Sequence, residues 1–519
     1  MCQAHEEYGG CGGEEPPRVS RVSCAKKCMK CKEGSPVLII RLGDAFCKAC
    51  FKEYFVHKFR AMLGKNRCIY PGEKVLLAFS GGPASSSMVR QVQEGLSRDA
   101  AKKLRFVPGI IYVDEGAVCG RSRDEREEKL AQVESIPRAL GFPYHLVRLE
   151  EVFELPGSIL CCVSHNPPGP KHSYKEAVDN FIQRQHRQGK AGGVGASLPE
   201  KLAELSVLDS PRKEETDAAP GAGPPAAAAR TEELVQLFAA VKTLTAKEEL
   251  LQNLRNHLIL HTARTHGYTK VMMGDSCTRL AVKLLTNLAL GRGAFLAMDT
   301  GFSDDRHGDT LVLRPMREYS AKEIAFYNRL FGVPTVFTPA LDTKAPEKGS
   351  IHRLMESFLY RLQAEFPSTV STVYRTGEKL SAAPRDAIPG CSSDPELCLL
   401  CLCALDTNVE EGSVLQATLR SEQLCQKRPS PARNDCCMGC QERTGCCRDT
   451  AVPGTAAHAA LLPLLCYSCR LTVKDMRCPG SLPAYIQTEA DRRRRRAEMK
   501  QEIQEFLLEE DDGSSPDPS

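Results

Sequence analysis

Two groups of residues in this chain are typed and spaced for chemistry: cysteines set in pairs, and a glycine turn bracketed by serines. Cys28-x-x-Cys31 is followed by Cys47-x-x-Cys50. Each pair places two thiolates on one turn, and two such turns complete a tetrahedron around a zinc ion. The apolar run 37–40 and the turn at Gly43-Asp44 suit a zinc ribbon. A second set, Cys398-x-x-Cys401 and Cys466-x-x-Cys469, encloses a long Cys-rich spacer and predicts a second zinc site. Within that region Cys403, Cys436, Cys437, Cys440, Cys446 and Cys447 are alternative ligands, and Cys24 is a spare surface thiol.

The other group is Ser80-Gly81-Gly82, followed by Ser85, Ser86 and Ser87. It lies between the apolar run 75–79 and a helical pattern over 85–96 with Met88, Val89, Val92 and Leu96 on one side. The serines are candidate helix caps. Strand, glycine turn and helix start together make an anion cradle. Glycines admit close backbone approach, exposed amides point inward, and the helix dipole favours negative charge. A polyphosphate or pyrophosphate is the natural guest; an ordinary strand-to-helix turn is the competing reading. The phosphate loop Gly-x4-Gly-Lys-Ser/Thr is absent from this turn.

The surrounding elements must position these groups. Strands are expected over 106–113 and 144–149 with a charged helix at 124–140 between them, then a strand at 268–273 and another at 311–316. This alternation predicts an α/β fold with a parallel sheet and crossover helices. Ligands of such sheets sit at the carboxyl ends of the strands. Asp114 ends one strand and is either a ribose or adenine ligand or a strand-end cap. Gly274-Asp275 opens another helix, with Asp275 a metal or ribose ligand or an N-cap. Ser320 and Glu323 form a capping-box pattern. A helix over 51–63 is expected to stop at Gly64, and residues 291–293 and 304–307 read as exposed polar turns.

The resulting division is 1–23 disordered, 24–64 a zinc ribbon with its helix, and 65–163 the first half of the sheet domain. Residues 164–230 form a disordered insertion, and 231–377 the second half of the sheet domain with a basic surface. A Cys-rich zinc module with a long insertion spans 378–480, and a charged helix with an acidic tail spans 481–519. The net charge of +4 over 519 residues confines any nucleic-acid surface to local patches. Candidates for contact with an RNA backbone are Lys58, Arg60, Lys65, Arg67, Arg314, Arg317, Lys344 and Arg353, with solvated faces as the alternative. No apolar run reaches membrane-spanning length, and the first residues lack a basic-then-apolar leader, so a soluble intracellular protein is expected. In that setting 25 cysteines favour metal binding over disulfides.

The Ser80-Gly81-Gly82 turn resembles the Ser-Gly-Gly-x-Asp-Ser loop of PP-loop ATP pyrophosphatases, which cleave ATP between the α and β phosphates and adenylylate their substrates. Ala84 stands where that family carries Asp. The Gly274-Asp275-Ser276 turn resembles the family's second, Gly-His-Asn/Asp-type turn. Residues 313–327 are similar to the Arg-Pro stretch of tRNA-thiolating PP-loop proteins. With segments 61–67, 274–293 and 340–347, and the paired cysteines at both ends, the chain resembles the cytoplasmic tRNA wobble-uridine thiolation family over most of 25–160 and 230–490.

The resemblance implies a PP-loop sheet braced by zinc, with a nucleotide held by Ser80, Gly81, Gly82, Ser85, Ser86, Asp114, Gly274 and Asp275. It implies replacement of the C2 oxygen of the wobble uridine by sulfur in the tRNAs for lysine, glutamate and glutamine. The implied partners are tRNA, a catalytic paralogue in a heterodimer, and a thiocarboxylated ubiquitin-like sulfur carrier. ATP with Mg is the cofactor of the loop class. Catalytic members carry a Cys-x-x-Cys after the third strand and a Cys after the Arg-Pro stretch; here the first region offers adjacent Cys161 and Cys162, and 336–340 has no Cys. With Ala84, these departures predict a non-catalytic or weakly catalytic subunit, and no catalytic residue is assigned. An independent ATP pyrophosphatase and a zinc-dependent scaffold are the alternatives.

Overall fold

A computed structural model describes residues 27–40, 44–97, 103–160, 174–191, 224–338, 341–380, 397–405 and 459–504. Segment 1–23, Cys24, Gly43, Cys161, Cys162, the cysteines at 436–447 and the acidic tail lie outside the described residues. The chain divides into two compact units, Met1–Val56 and His57–Ser519.

In the first unit, β1 (Leu38–Ile39) and β2 (Ala45–Phe46) pair antiparallel, with Leu38 opposite Phe46. A helix follows at Lys48–Asn66 and continues through Gly64, where the sequence predicts a stop. One interior glycine costs roughly 1 kcal/mol. The stripe Phe51, Phe55, Phe59 and Met62, all buried, outweighs it.

The second unit is built on a six-stranded sheet. Its strands are β3 (Lys74–Ala78), β4 (Val107–Asp114), β5 (Tyr144–Arg148), β6 (Lys270–Met272), β7 (Ser303–Asp304) and β8 (Leu311–Leu313), ordered β5-β4-β3-β6-β8-β7. All pairs are parallel except β7 with β8. Leu76 at the centre of β3 faces Gly109 on one side and Val271 on the other. Val75, Leu76 and Leu77 are all buried, as both-sided coverage of a parallel sheet requires. The chain builds outward from β3 to β5, then returns to the other side of β3 with β6. The gap between the ends of β3 and β6 is therefore the point where strand order reverses, the place where such sheets hold ligands.

Helices Pro83–Leu96 and Ala321–Phe331 are locked together by polar contacts: the Ser87 hydroxyl donates to Asn328 Oδ1 at 2.6 Å, and the Gln91 amide to the Tyr327 hydroxyl at 2.7 Å. The expected capping box of Ser320 and Glu323 is formed. Elsewhere Leu250, Leu254 and Leu258 of helix Leu244–Thr265 share one apolar core with Leu76, Ile111 and Val271 of the sheet.

Leu399, Leu400, Leu465, Val473 and Ile486 belong to that same core. The described residues around the second quartet thus share the core of the sheet domain.

Helix Tyr174–Ala191 lies inside the segment 164–230 that the sequence reads as disordered. Tyr174, Val178, Phe181 and Ile182 keep a helical spacing that the surrounding charge and amide residues obscure. Tyr174 packs on Tyr70 with ring centroids 5.6 Å apart.

Candidate nucleotide cleft and metal centres

The Ser-Gly-Gly turn leaves the end of β3 and opens helix Pro83–Leu96. Gly81 sits at φ +76°, a left-handed conformation that favours glycine. Its carbonyl accepts from the Val336 N–H at 2.9 Å. The serines fold back on the turn and do not cap the helix: Ser80 N donates to Ser85 Oγ at 3.2 Å, Ser85 Oγ to the Gly82 carbonyl at 3.0 Å, and Ser86 Oγ to the Gly81 carbonyl at 3.3 Å. The turn is therefore held by its own hydrogen bonds.

Gly274 closes the cradle from β6. A Cβ there would lie 2.9 Å from both the backbone N and Cα of Ser85, so only glycine lets the two turns meet. Ser276 caps the following helix Cys277–Ala289, accepting from Arg279 N, and Asp275 is free of that duty. Both turns line a cleft of about 1130 Å3, together with Ala84, Asp114, Asp275 and Lys283. The volume exceeds what a single small ligand of roughly 300–1,000 Å3 requires.

The two carboxylates expected to serve a nucleotide or its metal already face cations. Asp114 Oδ2 is 2.8 Å from the buried Arg126 guanidinium, and its Oδ1 accepts from Gly116 N at 2.9 Å. Arg126 also reaches Glu150 at 2.7 Å. Asp114 therefore serves as the strand-end anchor. Asp275 Oδ2 lies 3.6 Å from Arg314 Nε. With alanine at 84, the cradle offers a magnesium ion neither an Asp on the loop nor an uncommitted partner in Asp114.

In 304–307 and 291–293, Asp305, Gly291 and Gly293 are exposed as expected, but Asp304, Arg306 and Arg292 are buried, correcting the expectation there. Arg306 is buried and donates to Asp304 Oδ1 at 2.8 Å, to Asp299, and to Cys403 Sγ at 2.8 Å. Burial alone would raise the Asp304 carboxyl, but the guanidinia of Arg306 and Arg314 hold it well below the usual range. Arg292 is likewise buried and pairs with Glu249 at 2.6 Å.

Of the eight cations predicted to meet RNA, four are committed inside the second unit. Arg314 is 4 % exposed and donates to the carbonyls of Met298 and Gly301 and to Asp304. Arg317, also buried, pairs with Glu378 at 2.9 Å. Lys58 pairs with Glu323 at 2.9 Å and lies over the Tyr319 ring. Arg353 donates to the carbonyls of Ala345 at 2.8 Å and Leu341 at 2.7 Å, tying down its own loop. Arg60 is half-buried, and Lys65, Arg67 and Lys344 are exposed.

Both cysteine quartets assemble. The sulfurs of Cys28, Cys31, Cys47 and Cys50 lie within 4.8 Å of one another, as do those of Cys398, Cys401, Cys466 and Cys469. A tetrahedral ion with bonds of about 2.3 Å sets its sulfurs roughly 3.8 Å apart. The Cys31–Cys47 and Cys401–Cys466 separations of 4.0 Å and 3.5 Å straddle that value, so both donor sets fit a metal ion. In the first quartet, backbone N–H groups of Cys31 and Cys47 draw the Cys28 thiol down to about 6, while its hydrogen bond with Cys47, together with desolvation, pushes Cys50 up to about 12. In the second, the Arg292 guanidinium lies 3.7 Å from Cys469 Sγ, supplying positive charge beside the thiolates. Cys403 stands against Arg306, adjoining the quartet without joining it.

Sequence reasoning missed Arg126, Arg306, Lys283 and Phe337. The first three were hidden in charged or amphipathic runs, and nothing in sequence spacing separates a buried guanidinium from a solvated one. Phe337 drew notice only as part of a segment lacking cysteine.

A parallel sheet reversing its order at a serine–glycine cradle, in a chain that also carries two tetrathiol centres, defines a PP-loop-type α/β protein with Ala84 in its loop. Residues 350–471 match the family profile of cytoplasmic tRNA 2-thiolation protein 2. The human protein of that name is 56% identical over 99% of both chains, and the zebrafish (Danio rerio) protein is 53% identical over 98% of this chain and 100% of its own. The chain belongs to the cytoplasmic tRNA 2-thiolation protein 2 family. Among solved structures, the U34-tRNA thiolase NcsA from Methanococcus maripaludis, determined with its 4Fe-4S cluster, is 15% identical with a TM-score of 0.45, covering 74% of this chain and 97% of that one.

Proposed function

We propose that this chain is the non-catalytic subunit of the cytoplasmic complex that replaces the C2 oxygen of the wobble uridine by sulfur in the tRNAs for lysine, glutamate and glutamine. The observation that carries this reading is the cradle: its glycines, its serine bonds and its contact with Gly274 are intact, while Ala84 replaces the carboxylate and Asp114 faces Arg126. Near full-length likeness to relatives named for tRNA 2-thiolation supports the assignment.

A catalytic paralogue adenylylates the uridine oxygen, and sulfur from a thiocarboxylated ubiquitin-like carrier displaces AMP. This chain supplies part of the tRNA surface through Arg60, Lys65, Arg67 and Lys344, and its two cysteine quartets each hold zinc. The zinc ions fix the chain on either side of the cleft residues in sequence and take no part in the reaction.

The test is pyrophosphate release from ATP and tRNA. The chain alone should release none, and the chain with its paralogue should turn over with native Ala84 in place. Release by the isolated chain would make it an independent ATP pyrophosphatase. Unimpaired thiolation by a complex carrying Gly81→Arg, which fills the cradle, would make it a scaffold.

A further inference from the structure

The segment 336–338 is strapped across the Ser-Gly-Gly turn. Val336 N–H donates to the Gly81 carbonyl at 2.9 Å, and the Thr338 hydroxyl donates to the Ser80 carbonyl at 3.3 Å. Between these anchors Phe337 is 76 % exposed, and it lines the cleft. A ring held in water by hydrogen bonds on both sides is not serving the core. Its exposure is fixed by the same turn that forms the phosphate cradle.

The same cleft also holds cations. Gly274 brings the start of helix Cys277–Ala289 against Ser85, and Arg279, exposed in that helix's first turn, lines the cleft. Lys283, one turn further along, also lines it and has no hydrogen bond or ion pair closer than 4 Å among the described residues. An apolar planar face on a glycine turn, in one cleft with two cations, matches one chemical unit, an aromatic base joined to a phosphate. A protein partner docking on the ring would have to bury the exposed Arg279 at a desolvation cost, whereas a nucleotide's phosphate compensates it.

We propose that Phe337 is the stacking platform for an unpaired RNA base whose adjoining phosphate is held by Arg279 and Lys283. This deepens the assignment of the chain to tRNA thiolation and rests on it. Stacking of a base on an aromatic side chain tolerates any base, so the site takes an extruded loop nucleotide and ignores duplex RNA.

The chain contains no tryptophan, so Phe337→Trp places a single indole at the site. Full-length protein carrying it should lose indole fluorescence when an RNA hairpin with an unpaired uridine loop is added, and should keep it with blunt duplex RNA. Phe337→Ala, removing an exposed ring, should bind the hairpin about tenfold more weakly with duplex binding unchanged. Arg279→Gln should weaken hairpin binding and flatten its salt dependence by about one unit of slope. An unquenched indole, or hairpin binding by Phe337→Ala equal to wild type, overturns the proposal. Release of a partner chain by Phe337→Ala with RNA binding intact overturns it in favour of a protein interface. These results separate from the functional assignment: cells lacking the chain that still thiolate their tRNA would sink the assignment whatever Phe337 does.

Discussion

Among single side chains, the most consequential are the buried arginines. A continuous line of contacts runs from Cys403 through Arg306, Asp304 and Arg314 to Asp275. It links the edge of the second cysteine quartet to the turn that closes the cradle. Removing one partner of a buried ion pair leaves the other charged and desolvated, at a cost of about 3–5 kcal/mol. Arg306→Ala should destabilise the protein by that amount in urea titration, and a change below about 1 kcal/mol would mean water already reaches Asp304. None of this was legible in the sequence. Asp304-Asp305-Arg306-His307 has the composition of a solvated turn, and its partners Asp299, Arg314 and Cys403 are fixed only by the fold. Four of the eight cation candidates turned inward for the same reason: Arg314 and Arg353 look alike in a charge pattern whether they meet phosphate or satisfy carbonyls.

At the level of elements, the informative unit is the strand followed by a glycine turn and a helix, which occurs at the ends of both β3 and β6. This was readable in advance, because the apolar run, the glycine break and the helical spacing all lie within one short stretch. The capping box at Ser320 was readable too, for its partners are three residues apart. The short edge strand β7 was not, since two residues carry no periodicity. The two quartets were named correctly from Cys-x-x-Cys pairs, but the sharing of a core between the second quartet and the sheet was invisible to spacing.

That sharing has a consequence. Two metal ions per chain are expected by mass spectrometry of metal content. Cys398→Ser should lose one ion and lower the main thermal transition, because Cys398 and Cys466 sit in the sheet's own core. Cys28→Ser should lose the other and leave that transition in place, because its quartet belongs to the first unit. Equal loss of the main transition in both variants would contradict this division.

Taken as one body, the second unit buries several histidines in neutral form. Burial holds His257 and His145 at about 4, the latter aided by His266, and His307 at about 3. Unfolded histidines take up a proton near 6.5. The unfolded chain therefore binds more protons than the folded one from about 6.5 down to about 4, and stability falls with pH across that window. Each histidine contributes about 1.4 kcal/mol per pH unit at full slope. The midpoint in urea should be clearly lower at pH 5 than at pH 7, and His257→Gln should flatten the dependence; equal midpoints would show that these imidazoles protonate in the folded state.

The same body is a PP-loop sheet with its cradle preserved and its loop carboxylate gone. Whether such a chain is nonetheless required for sulfur transfer is decided by measuring 2-thiouridine at the wobble position of tRNA from cells that lack it. The modified nucleoside should vanish from the lysine, glutamate and glutamine tRNAs and return when the unaltered chain, Ala84 included, is restored; anticodons that stay fully thiolated without it would contradict the assignment.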